Sequence, residues 1–261
     1  WTGTRAASIC RSRGLPALLP EAQCEKERIM NGHYAIAIDG PSGAGKSSLA
    51  RAAAARFGFI YVDTGAIYRT VGLPAYRRGV DRRDESAVAA ILPELDISMR
   101  YSAAGEQRMF LNGEDVSAEI RSPEISICAS DVAALPVVRA FLMELQRRMA
   151  RENSVIMDGR DIGTVVLPDA ELKVFLTASA EARAQRRLLE LEHKGVAVSF
   201  AEVLHDIEYR DEQDSSRAAA PLKRAEDAVL LDTSSIDFDE SLSALSDIIT
   251  RRLGVKAVDA E

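Results

Sequence analysis

Gly40-x-x-x-x-Gly45-Lys46-Ser47 stands in the stretch "IDGPSGAGKSS". Glycine frees successive backbone N–H groups to turn toward an anion without Cβ clashes, a lysine at this place reaches terminal phosphates, and a hydroxyl after it can ligate Mg²⁺. The residue types at this spacing therefore predict a triphosphate cradle over Gly40, Pro41, Ser42, Gly43, Ala44, Gly45, Lys46, Ser47 and Ser48. Chance alone places such a pattern in about one chain in a hundred of this length, and here an apolar run precedes it and a helical run follows.

The second chemical signal is arginine. The chain has 27 Arg against 6 Lys, and a guanidinium fork matches phosphate oxygens. Arg69 follows one apolar run and Arg160 another, which puts both near the carboxyl edge of a parallel sheet, beside the phosphate loop. Arg210, Asp214 and Arg217 fall at i, i+4 and i+7 of a helical stretch, and Arg183, Arg186 and Arg187 share a face of the preceding one. For each helical set a solvated, salt-bridged face is the other reading. An alcohol acceptor calls for a general base, whereas a phosphate acceptor is already anionic and needs cations to overcome repulsion. His33, His193 and His205 have no acidic partner in a recognisable pattern and read as solvent or packing residues.

These residues need a scaffold of alternating strands and helices. Strands are expected at 34–39, 59–63, 154–158, 172–178 and 228–234, with helices at 46–57, 64–79 (bent at Pro74), 84–93, 121–152, 180–193, 199–215 and 239–252. Between about 95 and 117 the texture turns to short strands around Asn112-Gly113, an antiparallel insertion. Elsewhere the alternation argues for an α/β fold with a parallel sheet flanked by helices.

Composition bounds the rest. The 261 residues are 47% hydrophobic and 28% charged, ordinary for a globular chain. A net charge of −7 argues against binding a nucleic acid polymer, and no apolar run is long enough to span a membrane. Cys10, Cys24 and Cys128 form no metal-type pair, which suits a reducing cytoplasm. No (N/T)KxD tetrapeptide accompanies the phosphate loop, so a G-protein is not indicated. A small-molecule kinase fits best. A kinase for another acceptor, or a nucleotide-binding regulator, are the rival readings. Residues 1–29 are expected to be a disordered or upstream-translated extension ahead of Met30, with an organelle transit peptide as the alternative.

"DTGAIYR", "LNGEDVSAEIR", "DGRDIGTVVLPDA" and "YRDEQDSSRAAAPL", in order behind the phosphate loop, resemble the bacterial cytidylate kinase ((d)CMP kinase) family over about residues 34–252. The resemblance implies ATP-dependent phosphorylation of CMP and dCMP, with Mg²⁺. It implies a P-loop, adenylate-kinase-like architecture in which 30–254 is the kinase domain, the 95–117 insertion extends the monophosphate-binding region, and 180–217 forms a helical lid. Carried over by position, Arg69, Arg160 and Arg210 clamp the CMP phosphate and join Lys46 as catalytic residues. Thr64, Arg139, Asp161 and Arg217 line the cytosine pocket, and Ser130 and Asp214 contact the pentose. Arg183, Arg186 and Arg187 cover the triphosphate. Asp158 resembles a carboxylate that helps Ser47 hold Mg²⁺. Thr64 stands where some members have Ser, and Ser47-Ser48 where the loop often continues Gly-Thr; a hydroxyl is kept in both cases. The family resemblance, with no coiled-coil stripe, also implies a monomer.

Overall fold

A computed structural model of the chain describes residues 32–102, 106–193, 195–217 and 220–258. The expectation for residues 1–29 lies outside these.

The all-buried run Ala35–Asp39 forms β1 and breaks at Gly40 into the phosphate loop, which feeds α1 (Lys46–Phe57). Gly58, in the left-handed conformation, ends α1, and its N–H bonds the Ala54 carbonyl. Strand β2 (Ile60–Asp63) runs straight into α2 (Thr64–Arg77), because the Asp63 carboxylate accepts the Ala66 N–H and caps the new helix. Helix α2 continues through Pro74. Next come α3 (Glu85–Ile91), β3 (Ile97–Tyr101), β4 (Gln107–Leu111) and β5 (Glu114–Asp115). The last three strands form an antiparallel sheet in the order β3-β4-β5. Asn112 and Gly113 both take positive φ and turn β4 into β5, as their types predict.

The helical run expected over 121–152 is two helices, α4 (Pro123–Ala133) and α5 (Pro136–Glu152), bent by 99°. Pro136 explains the break, since proline starts a helix well but disfavours a helical residue before it. Then come β6 (Val155–Gly159), a π-helical turn at Ile162–Val166, β7 (Leu172–Thr177), α6 (Ala180–His193), α7 (Phe200–Ser216), β8 (Val229–Asp232) and α8 (Phe238–Leu253).

The chain forms two compact units. One, over 63–152, holds α2 to α5 and the small sheet. There α2 meets α4 at Gly72, where a Cβ would stand 3.1 Å from the Ala129 nitrogen. Arg77 pairs with Glu114 and Glu119 and so ties the end of α2 to the insertion. The other unit holds 34–62 and the chain from 153 onward. Its sheet has the order β2-β6-β1-β7-β8, with β1 parallel to β6 and β7, and β7 parallel to β8. Ile36, Ile38, Ile156, Val174 and Leu176 on the sheet pack with Leu49 and Ala53 of α1 and Leu245 and Ile249 of α8. Burial of these side chains fixes the strand ends from which the site loops depart. The parallel sheet flanked by helices, with its small antiparallel companion, is the α/β architecture expected of the sequence. Helices α6 and α7 form a hairpin around Ala184, Val203 and Ile207. Among the described residues no single helix is long and apolar enough to cross a membrane.

Candidate active site

The phosphate loop leaves the end of β1 so tightly that a Cβ on Gly40 would stand 1.9 Å from the Leu176 carbonyl oxygen. Gly43 and Gly45 adopt φ of 74° and 83°, and Gly45 caps α1 with its first residues, Lys46, Ser47 and Ser48, following. The loop thereby presents backbone N–H groups and a helix amino end together, an arrangement suited to an anion. Lys46 is buried, and its ammonium donates to the Pro41 carbonyl at 2.7 Å. Burial and then the Arg160 charge push that ammonium down to about 7.

Beside it, Asp158 ends the buried part of β6 and accepts from the Ser47 hydroxyl at 2.8 Å and from the Tyr61 hydroxyl at 3.0 Å. The hydroxyl and carboxylate offer hard oxygen ligands, a donor set that fits Mg²⁺, which takes only one or two protein groups when phosphates supply the rest.

The loop after β6 carries Arg160 and Asp161. Arg160 donates through Nε to Asp214 at 2.6 Å, and Arg217 pairs with the other oxygen of Asp214 at 2.5 Å. One carboxylate on α7 thus holds two guanidinium groups, and Asp161 is buried. Arg210, expected on the same helical face, is exposed and has no ion pair among the described residues. Arg210 and Asp214 both lie within α7, Asp214 buried and Arg210 exposed, whereas Arg217, just past the helix end at Ser216, turns back onto Asp214.

Arg183 reaches the phosphate loop, but its guanidinium is taken up by protein groups. It donates to the carbonyls of Ala178 (2.9 Å) and Ser42 (3.0 Å), and to both oxygens of Asp211. Arg186 donates to the carbonyls of Thr233 and Ile236. Arg187 pairs with Glu190 on the exposed side of α6.

In the unit over 63–152, Thr64 is buried as the first residue of α2, one turn before Arg69. Asp63 pairs with Arg69 at 3.0 Å while its other oxygen caps α2. The Arg69 Nε is buried and has no hydrogen-bond partner among the described residues. Arg139 is buried on α5, donates to the Ala133 carbonyl at 3.3 Å and lies 5.9 Å from the Tyr68 ring centre. Ser130 is exposed on α4.

Several contributors escaped the sequence reading. Asp63 carried a visible signal, an acidic residue directly before a helix. Tyr61 and Asp211 carried none, since their roles come from partners far away in sequence. Asp39 is the fourth. Its buried carboxylate accepts the N–H groups of Ile162 and Gly163, and burial pushes it up to about 6.

A family model described as cytidylate kinase matches residues 36–251. A protein named cytidylate kinase from Lactobacillus johnsonii is 46% identical over 227 residues, 87% of this chain and 98% of the relative. Another so named, from Desulfitobacterium hafniense, is 50% identical over 211 residues, 81% of this chain and 90% of the relative. A third, from Pelotomaculum thermopropionicum, is also 50% identical over 211 residues, 81% of this chain and 93% of the relative.

Proposed function

Because the chain belongs to the cytidylate kinase family, we propose that it transfers the γ-phosphoryl group of ATP to CMP and dCMP, giving CDP and dCDP. The observation that carries the reading is the family match over 36–251, a span that contains the phosphate loop and every arginine assigned here to a nucleotide. The site chemistry agrees. Its groups are cations, hydroxyls and carboxylates, and the phosphate of CMP is an anionic nucleophile that needs no base.

In this reading Gly40–Ser48 cradle the triphosphate, and Lys46 exchanges the Pro41 carbonyl for a terminal phosphate oxygen. The exchange relieves a buried cation by giving it an anionic partner. Ser47 and Asp158 would hold Mg²⁺, which when bound neutralises charge on the transferring group. Arg69, Arg160 and Arg210 clamp the CMP phosphate. The unpartnered Arg69 Nε supports that role, and the exposed Arg210 is free to swing toward an anion. Thr64, Arg139, Asp161 and Arg217 read cytosine, which offers an amino donor at N4 and acceptors at N3 and O2. Ser130 and Asp214 contact the pentose. The α6–α7 hairpin serves as the lid, with Arg187 reaching the triphosphate and Arg183 bracing the loop beneath it. Catalysis then rests on in-line positioning and charge neutralisation. Residues 30–254 make up the kinase domain of a cytoplasmic monomer that uses small nucleotides alone.

An ADP-release assay with CMP, dCMP, UMP, AMP and shikimate tests the proposal. CMP and dCMP should give the highest kcat/KM. Preference for UMP would move the assignment to another nucleotide, and preference for shikimate would overturn the phosphate-acceptor reading.

A further inference from the structure

Asp39 ends β1, one residue before the phosphate loop, and is 5% exposed. Its Oδ1 accepts the Ile162 N–H and its Oδ2 the Gly163 N–H, both at 2.7 Å. These donors begin the π-helical turn, whose own bonds run from Val166 to the Asp161 carbonyl and from Leu167 to the Ile162 carbonyl. The first N–H groups of any such turn lack internal acceptors, and one carboxylate satisfies two of them. The fit is close: a Cβ on Gly163 would stand 3.3 Å from Asp39 Oδ2 and 3.1 Å from the Lys173 side chain. The residues immediately before this turn are Arg160 and Asp161.

We propose that Asp39 is a positioning residue, whose carboxylate fixes the Arg160–Asp161 loop to the strand end from which the phosphate loop departs. Acceptor-side and donor-side charges are thereby set from one point of the sheet. The inference rests on reading Arg160 and Asp161 as acceptor contacts. Two acceptor oxygens are essential to it. An asparagine offers one, and its amide nitrogen would face an N–H donor. Burial disfavours the charge, the two N–H groups of the turn favour it, and Asp161 adds repulsion and Lys46 attraction.

The test is Asp39→Asn in the full chain, read by kinetics, melting and amide exchange. At neutral pH the variant should melt somewhat lower than the wild type, because one buried N–H loses its acceptor and faces an amide nitrogen instead. Its KM for CMP should rise at least about tenfold while its KM for ATP stays within about twofold. The amides of Ile162 and Gly163 should exchange at least about tenfold faster, with α1 unchanged. Equal losses for both substrates, or loosened amides with unchanged CMP kinetics, would overturn the proposal. Gly163→Ala presses on the same contact from the other side and should give the same split if the asparagine variant folds poorly. Failure of the functional reading looks different. The wild type would then not turn over CMP, the exchange measurement would still report the anchor, and the KM comparison would be made with the acceptor that is used.

Discussion

A methyl group on Gly65 would lie 3.0 Å from both Arg69 Nη1 and Asp63 Oδ1. That is tighter than nearly all Cβ contacts, so these neighbours must give by a few tenths of an ångström, and they belong to the two residues whose ion pair through Nη2 and Oδ2 aims Arg69. Gly65→Ala should therefore turn the guanidinium aside while leaving the phosphate loop untouched. The expected outcome is a KM for CMP raised about tenfold, a loss of about 1.4 kcal/mol, with the KM for ATP unchanged; a parallel rise in both would show that the clash spreads beyond Arg69. The phosphate loop could be read from the sequence because its chemistry needs fixed residue types at fixed spacing. Arg69 and Arg160 could be read because they follow strands. Asp39 could not, since an acidic residue at the end of a strand looks like any turn former until its partners, more than 120 positions away, are in view.

Local patterns foretold most elements, and the exceptions have physical causes. Helix α1 and strand β1 follow their apolar periods, whereas the helical patterns over 121–152 do not show where one helix gives way to the next, a boundary that Pro136 sets. The π-helical turn at 162–166 has no local signature; it exists where a distant carboxylate satisfies its first N–H groups. The α6–α7 hairpin was legible as two helices, but its attachment was not. That attachment is Arg183, which bonds Ser42 of the phosphate loop and Asp211 of α7 with a side chain only 5% exposed. Asp211→Asn removes the charge partner of a buried guanidinium, which should destabilise the protein by about 1–2 kcal/mol, less than a fully buried pair because Asp211 is 27% exposed. It should also raise the KM for ATP severalfold with little effect on CMP. Urea denaturation and steady-state kinetics check the two halves, and an unchanged KM for ATP would show that the loop does not depend on this brace.

Across the whole molecule, two buried groups at the phosphate loop set an unusual response to pH. Asp39 is raised from its ordinary 3.8 to about 6. Between those values the native state binds a proton that the unfolded state does not, so this group makes stability fall as pH climbs from about 4 to about 6. The shift of about two units corresponds to about 3 kcal/mol. Lys46, lowered from 10.5 to about 7, acts in the opposite sense. Between those values the unfolded state holds the extra proton, and stability rises with pH. Together they draw a dip between about pH 6 and 7, where most proteins are near their best. Other carboxylates blur the dip in the wild type alone, but they cancel in a comparison with Asp39→Asn. Urea denaturation from pH 4 to pH 7 should show the wild type gaining on the variant by about 3 kcal/mol as pH falls. Parallel curves would mean that Asp39 titrates at its ordinary value, and that the two hydrogen bonds from the turn offset the whole cost of its burial.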